Sequence, residues 1–208
     1  MIVQWCCKGV NGIGTSEVQA ILQDQVGLSC RFWQEQSDRR LPYAEALGRL
    51  SERDLDLHVN HYDEDDPATG RPVKDQTVFI SLSAGCVERN SLSSRTELHP
   101  ALRTALIFAT DMAQSPGWVF TCYVLLTTNR ASRVPGVAEE VRELNHQRAY
   151  SHYWAEGEIA AKINVPSRQI LCAEYYVPAG AATVEWQGGY RNLEFVHPDA
   201  LLNMRQML

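Results

Sequence analysis

The segment YSHYWAEGEIAAKINVP, residues 150–166, places two carboxylates, Glu156 and Glu158, directly before an apolar run with strand propensity. Side chains two residues apart on a strand point to the same face, about 6.5–7 Å apart along the chain. Both acids would then project into one site, where they could stabilise a developing cation or share acid and base roles. An exposed strand with two solvated acids gives the same pattern, so other segments must separate the two interpretations.

The bulk composition predicts one soluble domain. The chain has 208 residues, of which 45% are hydrophobic, and this suits a single well-cored unit spanning residues 1–208. The formal net charge of −6 disfavours general affinity for nucleic acid. The N-terminal sequence does not match a signal peptide, and no apolar run approaches the roughly 20 residues that span a bilayer. We therefore expect no membrane association and a cytoplasmic location where the protein is made, although delivery as a secreted effector would leave the same pattern.

Metal binding is not expected. The six cysteines form no C-x-x-C pair, which disfavours a compact zinc site. His58 and His61 precede an acidic run at residues 63–66, but nearby prolines and Gly70 indicate a solvated loop.

Periodicity and turn residues predict an α+β domain with β-rich ends around a long helix. The glycines at positions 9, 12 and 14 read G-x-x-G-x-G, which does not match a dinucleotide-binding fingerprint. Strands are predicted at residues 2–5, 28–33, 77–83, 118–126, 169–177, 183–187 and 192–196, with a short edge strand or turn at 55–59. Helices are predicted from residue 15 and at 42–50, 99–112 and 137–148.

Two of the predicted strands carry polar side chains that call for a partner. Arg31 lies among apolar and aromatic neighbours, so it either pairs with Glu35 at the rim or binds a phosphate or diphosphate. Ser81 and Ser83 end a buried strand, and buried hydroxyls must be hydrogen-bonded. One of them could hold a carboxylate in a working rotamer.

Three features therefore occur in a fixed order: Arg31, the hydroxyl-tipped Ile80-Ser81-Leu82-Ser83, and Glu156-Gly157-Glu158. This order resembles the Arg, Ser-Thr-Ser, Glu-x-Glu signature of mono-ADP-ribosyltransferases of the cholera-toxin-like class. The small-residue helix near residues 101–109 and the strand at 117–124 also resemble elements of that family. The resemblance covers roughly residues 30–177.

The segment from Glu158 to residue 170 is similar to the pierisin and scabin branch of that family. That branch has Gln two residues before its catalytic Glu, where this chain has Glu156. Leu82 stands where the family usually has threonine, and no glycine follows Arg31. Arg39 is the alternative NAD-binding arginine.

The resemblance implies a single-domain ADP-ribosyltransferase-like fold, a split β-sheet core at about residues 28–198 with flanking helices, that clamps NAD in a bent form. It implies that Glu158 stabilises the charge on the ribose and that Glu156 engages the acceptor. It further implies roles in NAD binding for a larger set: Arg31 on the diphosphate, Ser81 and Ser83 near the nicotinamide ribose, and one of Trp33, Tyr153 and Trp154 stacked on nicotinamide.

The function that this resemblance implies is NAD-dependent transfer of ADP-ribose to a macromolecular acceptor, with release of nicotinamide, by a toxin or effector. NAD would be a substrate, and no metal is expected. Protein is favoured over a guanine-type nucleic-acid acceptor by the negative net charge. NAD hydrolysis and a catalytically inactive binding module remain alternatives, and an antitoxin or immunity protein is a possible partner.

Overall fold

The computed structural model describes residues 2–34, 43–84, 100–126, 137–140 and 157–200. Its helices are α1 (Thr15–Gln23), α2 (Arg31–Gln34), α3 (Tyr43–Gly48), α4 (Glu52–Asn60), α5 (Val73–Gln76) and α6 (Pro100–Ala109). Its strands are β1 (Ile2–Asn11), β2 (Leu28–Ser29), β3 (Asp65–Asp66), β4 (Arg71–Pro72), β5 (Phe79–Ala84), β6 (Gly117–Leu126), β7 (Val137–Glu140), β8 (Glu158–Lys162), β9 (Asn164–Val165), β10 (Ile170–Gly180) and β11 (Thr183–Arg191).

Strand β6 organises the main sheet because it changes partners along its length. One edge of β6 pairs with β1 in an antiparallel register that runs from Ile2 opposite Leu126 to Asn11 opposite Gly117. Its other edge pairs first with β10 and then, from Leu125 onward, with β7. Because β1 also pairs with β5, β5 with β8, and β8 with β7, five strands close into a ring while β10 and β11 extend outward. The predicted α+β architecture with a sheet core is confirmed.

The apolar sequence of β6 accounts for its central place. Seven of its first eight residues are buried, as expected for a strand covered on both faces. Helix α6 packs on the sheet at very short range, because a Cβ atom built on Gly9 or Gly117 would overlap the backbone of Ala105 or Ala109. The small alanine residues of α6 permit this close approach.

The predicted strand at 55–59 is wrong, because these residues form helix α4. The hydroxyl of Ser51 accepts a hydrogen bond from the Asp54 amide at 3.0 Å and caps the helix. Leu55, His58 and Val59 are the buried residues of α4, which is the spacing of one helical face and not of a strand.

Three further segments depart from the sequence-based prediction. The strand expected at 28–33 shortens to β2, which pairs with β9, and the chain then turns into α2. Residues 137–140 form strand β7 where a helix was expected, and residues 141–148 lie outside the described part. The strand expected at 192–196 is irregular because Asn192 bends the chain back, donating its side-chain amide to the carbonyls of Ser167 and Ile170.

Among the described residues, no helix is both long enough and apolar enough to cross a membrane.

Candidate functional site

A cavity of about 360 Å³ opens where β1, β5 and β8 meet the C-terminal end of α4. Its size lies within the range of about 300–1,000 Å³ that is typical of small-molecule sites. The lining residues come from five parts of the chain: Cys7, Lys8, Gly9, His58, Val59, Tyr62, Asp63, Ser81, Leu82, Ser83, Phe108 and Glu158.

Glu158 enters this cavity from the first position of β8. Its backbone lies directly opposite Ser83 of β5, and its side chain is only 12% exposed. The preceding Gly157 has φ of +58°, and a Cβ atom there would lie 2.5 Å from the carbonyl oxygen of Ala84. Only glycine fits this left-handed position without strain, so Gly157 sets the direction in which the chain enters β8.

The left-handed Gly157 also removes the basis of one sequence argument. Strand β8 begins only at Glu158 and Gly157 is not part of it, so a same-face spacing of Glu156 and Glu158 does not follow from strand geometry. Glu156 itself lies outside the described residues.

His58 of α4 links the two strands that carry Ser81 and Glu158. Its Nδ1 atom lies 2.8 Å from the hydroxyl of Thr77, and its Nε2 atom lies 3.0 Å from the hydroxyl of Ser81. The Nε2 atom is 3.7 Å from the nearer carboxylate oxygen of Glu158, which is too long for a hydrogen bond. Burial, together with the positive charge of Lys8, lowers the pKa of His58 from 6.5 to about 3. The imidazole is therefore neutral near pH 7 and forms no ion pair with Glu158.

Lys8 of β1 is the basic residue of this wall. Burial lowers the pKa of Lys8, the negative charge of Glu158 opposes that shift, and the positive charge of Arg31 adds to it. Lys8 is the only lysine or arginine among the described residues that line the cavity. The cavity wall therefore combines two carboxylates, Asp63 and Glu158, with one lysine and two serine hydroxyls.

The described structure is similar to EcPltA and to heat-labile enterotoxin. The comparison with EcPltA gives a TM-score of 0.47 and 13% sequence identity, covering 94% of this chain and 89% of that chain. A mutant of heat-labile enterotoxin gives a TM-score of 0.45 and 16% identity, covering 93% of this chain and 75% of that one. A second mutant, of the E. coli toxin, gives 0.44 and 13%, covering 92% and 76%. No protein-family model matches the sequence, and no curated protein matches it.

Arg31 does not line the cavity. It begins α2, its side chain is 58% exposed, and its Nη1 atom lies 3.8 Å from the carboxylate of Asp75. Burial lowers the pKa of Lys8 and raises the pKa of Tyr62, and the positive charge of Arg31 adds to the first shift and opposes the second; both residues line the cavity. This places Arg31 near the cavity rim.

Among the described residues, the aromatic side chains that line the cavity are Tyr62 and Phe108, and Trp33 is not one of them. Trp33 is partly buried and packs against the main hydrophobic core. Tyr62 lines the cavity, with its ring edge-on to His58 at 5.6 Å between centroids, and Phe108 of α6 lines it while remaining 54% exposed. Tyr153, Trp154 and Arg39 lie outside the described residues.

Sequence reasoning missed Lys8, His58 and Tyr62. The helical spacing of Leu55, His58 and Val59 was the available signal for His58, and recognising α4 would also have brought Tyr62 to the end of that helix. Lys8 carried no local signal, because its role depends on the pairing of β1 with both β5 and β6.

The described residues contain no group of three or more His, Cys, Asp or Glu side chains placed to hold a metal ion. His61, which the sequence paired with His58, instead contacts Glu64 at 2.9 Å.

Proposed function

We propose that this protein is an NAD-dependent mono-ADP-ribosyltransferase that moves ADP-ribose to a macromolecular acceptor. One observation carries the proposal: the strand with Ser81 and Ser83 lies beside Glu158 at the wall of a single cavity. The sequence resemblance gave these two motifs linked roles in NAD chemistry, although they lie more than 70 residues apart in the chain. Adjacency in the fold is what such linked roles require.

The reaction breaks the bond between nicotinamide and C1′ of its ribose. The bonding electron pair leaves with nicotinamide, which becomes neutral, and positive charge develops on the ribose. The Glu158 carboxylate is largely shielded from water, so it can stabilise that charge strongly. A nucleophilic atom of the acceptor macromolecule then bonds to C1′ and loses a proton. Glu156 is the proposed base that takes this proton.

The other polar residues of the cavity suit the rest of NAD. We assign the diphosphate to Lys8 within the cavity and to Arg31 near its rim, because two cations match its two negative charges. Ser81, with Ser83 in support, would bind the nicotinamide ribose. Tyr62 joins Trp33, Tyr153 and Trp154 as a candidate for stacking on nicotinamide, and Tyr62 is the one that lines the cavity.

The acceptor is proposed to be a protein, since a net charge of −6 opposes binding to nucleic acid. We further propose that the enzyme acts as a toxin or effector in the cytoplasm, where an antitoxin or immunity protein would neutralise it.

Labelled NAD incubated with cell lysate tests the proposal and identifies the acceptor class. Parallel samples are digested with protease and with nuclease, and the protein is compared with Glu158→Gln and with Glu185→Gln. Glu185 is the matched control, because it is exposed on the edge strand β11 and does not line the cavity.

We expect macromolecular label that protease removes, with wild-type labelling by Glu185→Gln and none by Glu158→Gln. Label removed only by nuclease would transfer the assignment to a nucleic-acid acceptor. Free ADP-ribose without macromolecular label would make the protein an NAD hydrolase, and the absence of NAD turnover would refute the enzyme assignment.

A further inference from the structure

Thr77 is held rigidly behind His58, on the side away from the cavity. It is 7% exposed and ends helix α5, where its amide donates to the carbonyl of Val73 at 2.9 Å. Its own carbonyl accepts from the amide of Phe32 at 3.3 Å. The hydroxyl oxygen has two contacts, with the Phe79 amide at 3.2 Å and with Nδ1 of His58 at 2.8 Å.

The Thr77 hydroxyl accepts one of these hydrogen bonds and donates the other. The amide of Phe79 can only donate, so it occupies a lone pair of the hydroxyl oxygen. The hydroxyl hydrogen then needs an acceptor, and within the described part of the chain Nδ1 of His58 is the acceptor in reach. A buried hydroxyl hydrogen without an acceptor is destabilising, so Thr77 donates to Nδ1.

This direction determines the tautomer of the imidazole. A neutral imidazole carries one hydrogen, and an Nδ1 atom that accepts a hydrogen bond cannot hold it. The hydrogen therefore resides on Nε2, 3.0 Å from the oxygen of Ser81. Ser81 accepts this hydrogen bond, and its own hydroxyl hydrogen stays free to point elsewhere. The opposite tautomer would turn the Ser81 hydrogen toward His58 and leave the Thr77 hydrogen unbonded.

We propose that Thr77 is a positioning residue that fixes the Nε2–H tautomer of His58 and thereby makes Ser81 a hydrogen-bond donor toward the cavity. Each group donates a hydrogen bond to the next one: Thr77 donates to His58, and His58 donates to Ser81. The final hydrogen is available to the carboxylate of Glu158 or to an oxygen of the substrate. The effect of this hydrogen-bond chain on catalysis rests on the proposed function, in which Ser81 binds the nicotinamide ribose. The tautomer of His58, in contrast, is a property of the free protein.

The tautomer is measured on the free protein by two-bond ¹H–¹⁵N correlation spectra after ¹⁵N-histidine labelling. The chain has six histidines, and the His58 signals are those that vanish in His58→Gln. These signals should not titrate between pH 7 and pH 5, because burial lowers the pKa of His58 to about 3. We expect the Nε2–H tautomer in the wild type and in Thr77→Ser, which keeps the hydroxyl. An Nδ1–H tautomer or a charged ring in the wild type near pH 7 would overturn the proposal.

The kinetic test compares Thr77→Val, which removes the hydroxyl and keeps the shape, with Thr77→Ser. For nicotinamide release from NAD, we expect Thr77→Val to lower kcat about ten- to a hundredfold, the range seen when a hydrogen-bond partner that orients a metal-binding histidine is removed. KM for NAD should change less than about twofold, since Thr77 does not line the cavity. Thr77→Ser should restore kcat.

A Thr77→Val variant that keeps both the wild-type tautomer and the wild-type kcat contradicts the proposal. If Thr77→Val does not fold, the tautomer of the wild type decides the question alone. If the wild type releases no nicotinamide, the proposed function fails while the tautomer measurement still decides whether Thr77 orders this hydrogen-bond chain.

Discussion

Acidification should destabilise this protein through His58 in particular. The pKa of His58 is lowered from 6.5 to about 3, so between these pH values the unfolded chain binds a proton that the folded chain does not. Stability therefore falls as pH decreases below 6.5, and the loss is complete near pH 3. Each pH unit in this window contributes about 1.4 kcal/mol, so a change from pH 6.5 to pH 5 lowers the free energy of unfolding by about 2 kcal/mol.

Urea unfolding near pH 7 and near pH 5 measures this contribution when the wild type is compared with His58→Gln. The wild type should lose about 2 kcal/mol more than His58→Gln over that interval, because other titrating groups act equally in both. His197→Gln is the control for the loss of an exposed imidazole that does not line the cavity. Equal losses in the wild type and in His58→Gln would refute the neutral, buried imidazole.

Other perturbations separate packing from charge. Gly9→Ala should cost about 2–3 kcal/mol and lower Tm by about 5–10 °C, because its Cβ atom would lie 2.7 Å from the amide nitrogen of Ala109 and push α6 off the sheet. Gly48→Ala, which meets no atom within 4 Å, should not lower Tm in the same thermal scan. Lys8→Met should raise KM for NAD at least about tenfold, because the proposed contact with the diphosphate is lost. Lys74→Met, on the exposed side of α5, should leave KM unchanged. Equal KM values in the two variants would show that Lys8 does not bind the diphosphate. Arg31→Gln should raise KM only about two- to fivefold, since its charge is half exposed, and a larger effect than that of Lys8→Met would reverse their assigned order.

The elements that were predicted well from the sequence are those with a long apolar run or a regular spacing of apolar residues. Strand β6 is apolar over nearly its whole length, β10 is a mostly apolar and aromatic run, and β11 begins with the alternating sequence TVEWQ, so each pattern favours a strand. The hydroxyl-tipped β5 was found for the same reason. Its position beside Glu158 came from the family resemblance, because pairing between distant strands leaves no local pattern.

The prediction that failed for α4 concerned a sequence pattern that is compatible with both a strand and a helix. Leu55, Leu57 and Val59 alternate as in a strand, while Leu55, His58 and Val59 also fit one face of a helix. The Ser51 cap favours the helix, and helix α4 places His58 at the cavity wall, buried and not in an edge strand. Lys8 could not be predicted as a site residue, because its place depends on β1 running for ten residues along β6.

Nicotinamide release by the purified protein tests the central assignment most directly. Wild-type protein and Glu185→Gln are incubated with NAD, with and without lysate, alongside Glu158→Gln, and free nicotinamide is quantified over time. We expect release by the first two and a loss of at least about a hundredfold in Glu158→Gln, since the carboxylate proposed to stabilise the ribose cation is gone. No release by the wild type, or undiminished release by Glu158→Gln, would contradict the assignment.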